Sequence, residues 1–416
     1  MGTRGADRPR AVVVGAGFTG LATAYALERA GYAVDVYERG DRAGGLIGTT
    51  ATEFGPAESA ANAFLNSARV EALFADLGIP IVPAGRASRA RFIFRASRPT
   101  RWPLGIGGSL RVALFALRYF FFRRPLEPRA GESLSAWGRR ALGEEATEYL
   151  LLPAFQGIYA GEGRRLSASL LLAALFTKRP RVLRPKVRGS VSAPGGMGEV
   201  VRKLHSTLES RGVRFHFRTD GPLGDPEVLT YFCGSAHQAA ESLAGRAPEL
   251  ARALARIEMV PLVSVTAFFA ADARVRPGFG VLFPPREGFK SLGVLYNHVI
   301  FPDRVNGADL HSETWILGGA RRPEIAGMDD AKLLREILDD RKRLHGFEGA
   351  SESPRYQVLH RWLRATPYYT VELEGILAEL SRLGNGSGKL RLMGNYLGGI
   401  GLAKILDRIA AEVRAP

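Results

Sequence analysis

The chain has 416 residues, more than one ordinary core holds, so two or three domains are expected. Its 46% hydrophobic content is that of a globular protein, its single cysteine (Cys233) excludes an internal disulfide or a cysteine-built metal site, and its seven scattered histidines show no ligand spacing, so no metal is expected. The formal net charge of +16, mostly from arginine, suits nucleic acid, an anionic membrane surface or a polycarboxylate substrate, or reflects only a GC-rich coding sequence; no nucleic-acid-binding module is present, and no nucleic acid partner is expected.

Met1–Arg10 reads as a short polar tail without a signal peptide, and Ala6 breaks the myristoylation pattern after Gly2, so a cytoplasmic protein is expected. Ala11–Val14 reads as a buried strand, Gly15-Ala16-Gly17-Phe18-Thr19-Gly20 as a glycine turn, the stretch to Ala30 as a helix, and Tyr32–Glu38 as a second strand. Gly15 permits the tight turn, Gly17 lets the backbone approach a pyrophosphate, and Gly20 lets the helix pack on the sheet. The helix start, with Phe18 and Thr19, offers free N–H groups and a positive dipole end to that pyrophosphate. Glu38, 18 residues past Gly20, is placed to accept from ribose hydroxyls, with Arg39 beside it. The pattern predicts an adenine-dinucleotide site, a glycine turn in some other α/β fold being the plain alternative. A second glycine pair, Gly44-Gly45 after Arg42, suits a loop folded over the same pyrophosphate and favours FAD.

Arg42-Ala43-Gly44-Gly45 resembles the Arg-x-Gly-Gly segment of the FAD-dependent amine oxidase and protoporphyrinogen oxidase superfamily. In that family a segment like Glu53–Ser59, with its Gly55-Pro56 turn, lies beside the isoalloxazine ring. Ala68–Leu77 reads as a short amphipathic helix, ended by Gly78-Ile79-Pro80. Arg89–Arg95 alternates basic and apolar residues as a strand does. It resembles the strand that brings an arginine to the substrate cavity of protoporphyrinogen oxidases, which implies Arg91 by position, with Arg95 as the other candidate to pair with a substrate carboxylate. An exposed strand with solvated arginines is the plain alternative.

Leu110–Arg124 is apolar but interrupted by Arg111 and Arg118 and stopped by Pro125, so it falls short of the about 20 apolar residues a transmembrane helix needs. The two arginines, seven apart, share one helix face, a pattern suited to a helix lying in a membrane interface or to one packed on the core with snorkelling arginines. A second apolar helix, Ser167–Phe176, runs into the basic Lys178-Arg179-Pro180-Arg181. Between them lie a helix over Glu132–Gly143 and the string Gly157-Ile158-Tyr159-Ala160-Gly161, followed by Arg164-Arg165-Leu166-Ser167. This closely resembles the protoporphyrinogen oxidase pattern in which a Gly-x-Tyr-Ala-Gly turn precedes Leu-Ser, and it implies that Gly157 and Tyr159 approach a flat macrocycle.

Ala193-Pro194-Gly195-Gly196-Met197 opens a helix through Leu208 and resembles the segment that returns the chain to the family's FAD domain. Arg214–Arg218 and Val228–Cys233 read as strands and Ala236–Leu243 as a helix; the intervening Thr219–Glu227 is shorter than the family's usual excursion. Val263–Phe269, Phe279–Pro284, Ser291–Asn297 and Thr314–Gly319 read as antiparallel strands, and Met328–Leu344 as a charged amphipathic helix. Trp362 with Ala365-Thr366-Pro367-Tyr368-Tyr369 resembles a Trp…Ala-x-Pro-x-Tyr segment near the flavin; the family's later histidine is replaced around Val371-Glu372-Leu373-Glu374. Near the end, a strand from Leu390 enters a turn with Asn395, Gly398, Gly399, Ile400 and Gly401, and a helix runs to Val413. Its N-terminus can face the flavin's pyrimidine end. Lys404 stands where the family often has an acid.

The resemblance covers Ala11–Val413 and implies an α/β fold: an FAD-binding Rossmann-like domain of glutathione-reductase type (9–85, 190–250 and 386–416), a β-sheet substrate domain (86–98 and 251–385), and a helical membrane-associated subdomain (99–189). It implies oxidation of a porphyrinogen, protoporphyrinogen IX or coproporphyrinogen III, to the porphyrin of haem biosynthesis by hydride transfer to flavin N5. Oxygen or another acceptor would reoxidise the flavin, and the protein would rest on an anionic membrane surface at the inner face of the cell membrane. The absence of an acid–base dyad or nucleophile triad suits chemistry carried by the flavin, with no catalytic side chain. The alternatives are another amine oxidase or desaturase-like enzyme of the superfamily, and a flavin-binding protein without turnover.

Overall fold

The Val-rich stretch Arg10–Val14 has little choice but to be an interior strand, and it lies at the centre of a five-stranded parallel sheet. The computed structural model describes residues 8–122, 126–177, 183–223, 227–384 and 389–413; Arg123–Pro125 and the basic run Lys178–Arg181 fall outside them. The sheet runs in the order Arg214–Phe217, Ala33–Glu38, Arg10–Val14, Leu229–Phe232, Leu390–Leu392. From the central strand the chain first winds to one side and then returns to the other. The carboxyl ends of Arg10–Val14 and Leu229–Phe232 therefore form a topological switch point, where open parallel sheets place their ligand crevice. The Phe18–Arg29 and Met197–Ser210 helices bury Leu21, Ala24, Val200 and Leu204 against this sheet.

A second, seven-stranded sheet runs Tyr356–Pro367, Met259–Ala270, Leu310–Gly318, Ser291–Tyr296, Gly280–Leu282, Arg91–Arg95, Arg98–Thr100. It is antiparallel except where Gly280–Leu282 runs parallel to Arg91–Arg95. Arg86–Arg89 is a 3-10 turn, so the basic strand starts at Arg91. Met259–Ala270 is longer than Val263–Phe269, because a register shift between Val260 and Leu262 accommodates Pro261 inside the strand. One face buries Val263, Val265, Trp315 and Leu317 against Leu333, Ile337 and Leu344 of the Asp330–His345 helix.

Helices Leu134–Leu142, Leu152–Tyr159 and Ala168–Phe176 form a third unit around the buried Trp137. Ser133 and Ser167 cap two of them through the N–H groups of Ala136 (3.2 Å) and Leu170 (3.0 Å). The neighbouring Ile106–Phe121 helix begins earlier than the sequence suggests, through Gly107 and Gly108. Gly108 lies close under the Glu145 carboxylate, which a Cβ there would meet at 2.1 Å and push aside. This helix buries only Gly108 outright and leans Val112 and Phe115 on the core. Ile106, Leu110, Leu114, Leu117, Phe120 and Phe121 stay exposed, Phe120 by 75%. One face of this helix thus packs on the core, with the Phe115 ring 5.8 Å from that of Trp137, while its other apolar face stays exposed. Among the described residues no helix is long and apolar enough to cross a membrane.

A buried ion pair ties the short strand Ala57–Glu58 to the Pro302–Arg304 turn. Arg304 and Glu58, 3% and 4% exposed, approach to 3.3 Å. Glu58 also accepts from Thr49 Oγ1 (2.6 Å) and the Met197 N–H (2.9 Å), and Arg304 donates to Ser192 Oγ (2.7 Å).

Candidate functional site

The glycine turn opens at the switch point. Gly15 has φ +100°, and its N–H donates to the Tyr37 carbonyl at 2.7 Å. A Cβ at Gly20 would lie 1.7 Å from the Gly15 carbonyl oxygen, so only glycine lets the helix sit this close to the turn. At Gly17 the requirement differs. Its backbone is ordinary, and the nearest atom to a Cβ would be Gly45 Cα at 3.8 Å, so the side-chain space opens into the crevice. Gly44 and Gly45, with φ +118° and +58°, fold over this turn: the Gly44 N–H donates to Ala16 (2.8 Å), and a Cβ on Gly45 would be 3.1 Å from Gly17 Cα. Arg42 braces the loop through the Ala43 and Gly45 carbonyls.

The Phe18–Arg29 helix has no side-chain cap and no acid in its first turn, so its leading N–H groups and dipole are left for an anion. Glu38 is held by the Ala16 and Gly40 N–H groups, each at 2.7 Å, which aim its carboxylate along the turn. Together these surround a crevice of about 760 Å³, within the usual range for ligand sites. The opposite wall comes from the large sheet through Leu262, Ser264, Ile316 and Trp362, and Trp362 Nε1 donates to the Ser59 carbonyl at 2.9 Å, tying that wall to the Ser59–Ala61 segment. Glycines that bring backbone to the crevice edge, an uncapped helix start and a fixed carboxylate match the needs of a pyrophosphate and a ribose.

Of the residues expected at the cofactor, Gly15, Gly17, Phe18, Thr19, Glu38, Arg39, Gly44, Gly45, Asn395 and Ile400 line the crevice. Gly20 and Arg42 support it from behind. Gly55-Pro56 lies off the lining; Gly55 is needed because a Cβ would meet the Arg304 carbonyl at 2.6 Å, and Ser59–Ala61 take the expected place on the wall. Gly399 is also off the lining, its N–H taken by Tyr369 Oη at 2.7 Å, and Gly401 caps the Leu402–Glu412 helix.

The expected substrate residues fall elsewhere. Arg91 is exposed with its guanidinium 4.3 Å over the Phe279 ring. Arg95 pairs with Glu145 at 2.6 Å and stacks over Tyr149. Neither lines the crevice, because each finds an aromatic or acidic partner nearby. Gly157 lets the Leu152–Tyr159 helix approach the sheet, where a Cβ would come 2.6 Å from Leu282. Tyr159 is buried against Tyr369, and it is Ile158 that reaches the crevice. The sequence reading missed Arg364, which lines the wall and makes no ion pair among the described residues, whereas the other lining arginine, Arg39, pairs with Asp220 (2.7 Å) and Glu241 (3.6 Å). Its place one turn of strand past Trp362 was the available signal. Thr219–Gly221 and Phe232–Ser235 complete the wall at the switch point. Cys233 there has its thiol pushed up to about 12 by burial.

Residues 18–220 match the family model for flavin-containing amine oxidoreductases. The chain is 26% identical over 474 residues to protoporphyrinogen oxidase 2, chloroplastic/mitochondrial, of Arabidopsis thaliana, with 95% of this chain and 91% of that protein covered. It superposes on the crystal structure of a provisionally named protoporphyrinogen oxidase from Exiguobacterium sp. 255-15 with a TM-score of 0.75 at 20% identity, over 98% of each chain. It also superposes on putrescine oxidase bound to putrescine, with a TM-score of 0.70 at 14% identity over 98% of this chain and 99% of that one.

Proposed function

We propose that this chain, a protoporphyrinogen-oxidase-like member of the amine oxidase superfamily and an FAD-dependent oxidoreductase, oxidises a porphyrinogen to the porphyrin. The bound FAD supplies the two-electron oxidation of a carbon–hydrogen bond. The chain's own residues bind and orient. The first helix start takes the pyrophosphate, Glu38 the ribose, and the Asn395–Ile400 turn closes the crevice from the other end of the chain. The observation that carries the substrate reading is the wall facing the dinucleotide turn: Leu262, Ile316, Trp362 and Ile158 make it apolar and broad, and Ile158 belongs to the Gly157–Gly161 string. Such a wall excludes water and suits a flat macrocycle. Arg364 is placed to meet an anionic group at this wall, the part first expected of Arg91 and Arg95.

The exposed apolar face of Ile106–Phe121, flanked by Arg111 and Arg118, supports a further element of the reading, a peripheral seat on an anionic membrane at the inner face of the cell membrane. An apolar product would leave towards such a surface.

The test is anaerobic addition of protoporphyrinogen IX and of coproporphyrinogen III to the FAD-loaded protein. Bleaching of the oxidised flavin by either supports the reading. If both leave the flavin oxidised while an amine bleaches it, the chain is an amine oxidase instead.

A further inference from the structure

Tyr369 follows the long edge strand Tyr356–Pro367 and is 2% exposed. Its hydroxyl sits at the base of the C-terminal glycine turn. Oη accepts from the Gly399 N–H at 2.7 Å and donates to the Asn395 carbonyl. The turn is anchored in the core by Tyr396, and beyond it Gly398 and Gly399 adopt φ +147° and +129°, while Asn395 and Ile400 on either side form crevice wall. One hydroxyl thus spans the segment between two wall residues.

Behind Tyr369 stands the Gly157–Gly161 string. The Tyr159 ring meets the Tyr369 ring edge-on, with centroids 5.2 Å apart. The two segments are stitched by the Glu162 N–H to Tyr368 Oη (3.0 Å) and the Ser167 N–H to the Tyr369 carbonyl (2.8 Å). Ile158, next to Tyr159, is itself wall. Burial pushes the Tyr369 phenol up to about 12, so it keeps the proton it donates throughout the neutral range.

We infer that Tyr369 is a positioning residue for the flavin: it fixes the Asn395–Ile400 turn against the cofactor and couples that turn, through Tyr159, to the Ile158 side of the crevice. The Gly-x-Tyr-Ala-Gly string then serves to seat Tyr369. This rests on the FAD assignment and not on the porphyrinogen reading, and its test uses FAD alone.

Tyr369→Phe removes only the hydroxyl and leaves the ring contact. The FAD Kd of the variant, read by quenching of flavin fluorescence, is expected to rise about tenfold, equivalent to about 1.4 kcal/mol, the order expected when a buried donor and acceptor lose their shared partner. The bound flavin's visible absorption band and midpoint potential are expected to shift as well, which a purely structural role would not produce. Kd within twofold of the parent with an unchanged band and potential overturns the inference. Should Tyr369→Phe fail to fold, Tyr159→Leu keeps the hydroxyl but removes its seat. A smaller rise in Kd with a displaced band supports the coupling, and an unchanged Kd and band overturns it.

Discussion

Two glycines three residues apart should fail in opposite ways. At Gly20 a methyl group would sit 1.7 Å from the Gly15 carbonyl oxygen, and a turn bonded to Tyr37 cannot easily give. Gly20→Ala is expected to destabilise the apoprotein by about 1–3 kcal/mol or more, as overpacking does. At Gly17 the methyl group meets nothing closer than 3.8 Å, and φ −68° with ψ 176° suits any residue. Gly17→Ala should leave the apoprotein as stable, or firmer by about 0.4–1 kcal/mol through a less flexible unfolded chain. The methyl then occupies the space through which the backbone meets the pyrophosphate. Displacing even one charge-assisted hydrogen bond there costs about 1.5–3 kcal/mol, a factor of about 10–150 in Kd. Urea denaturation of both apoproteins and FAD titration of both variants make the comparison. A Gly17→Ala protein that binds FAD as tightly as the parent would refute the reasoning, since the crevice side of the turn would not then be where the cofactor lies.

The buried pair predicts a second asymmetry: Arg304→Leu, which strands the Glu58 carboxylate, should cost about 3–5 kcal/mol in denaturant unfolding, and Glu58→Gln with Arg304→Leu together should recover much of it. A double variant no more stable than Arg304→Leu alone would count against this. Around Arg341, burial lowers the pKa of His298 and His345 and takes His311 to about 4, with the His298 charge adding to it. Because the folded state holds these rings neutral, their contribution is present above about 6.5 and is lost as pH falls towards about 4. The urea midpoint should decline across that window, and His311→Gln should flatten the decline; a flat parent profile would exclude the effect. Leu117→Asp with Phe120→Asp should weaken co-sedimentation with anionic liposomes several-fold while leaving FAD binding intact, and unchanged sedimentation would remove this helix from the membrane seat.

Much of the cofactor half of the fold was legible because its signals are local. A Val-rich strand, a glycine that must take positive φ and a carboxylate at a strand end are each decided within a few residues. What was illegible depends on distant partners. Alternation in Arg91-Phe92-Ile93-Phe94-Arg95 says which residues leave the core; it cannot say that Glu145, 50 residues on, will claim Arg95. The Val371–Arg382 helix is capped by Thr370 and buries Leu373, Ile376 and Leu380 at helical spacing, a local signal that its acidic first turn, with Glu372 and Glu374, partly masks. Tyr159 is a subtler case. The string around it was recognised, but a helix end turning through Ala160 at φ +52° sends Tyr159 inward and Ile158 to the crevice, and spacing alone does not fix that rotation.

The net charge of +16 was open to several explanations, and the crevice narrows them. Its charged lining consists of Glu38, Asp220 and Glu241 against Arg39 and Arg364, so the site itself is not the source of the positive field. Arg39 is moreover neutralised by two of those acids. A polycarboxylate drawn in by bulk charge would need that charge at the mouth. Here the wall facing the dinucleotide turn is built mainly from Leu262, Ile316 and Trp362, and Arg364 is the lining guanidinium that makes no ion pair among the described residues. The positive excess therefore sits on surfaces outside the crevice, some of it at Arg111 and Arg118 beside the exposed Leu114, Leu117 and Phe120. Charge and apolar exposure on one helix reinforce each other at an anionic interface, where each basic residue adds about 1 kcal/mol. The proposed membrane seat draws on that arrangement, whereas the crevice lining holds little of the positive charge.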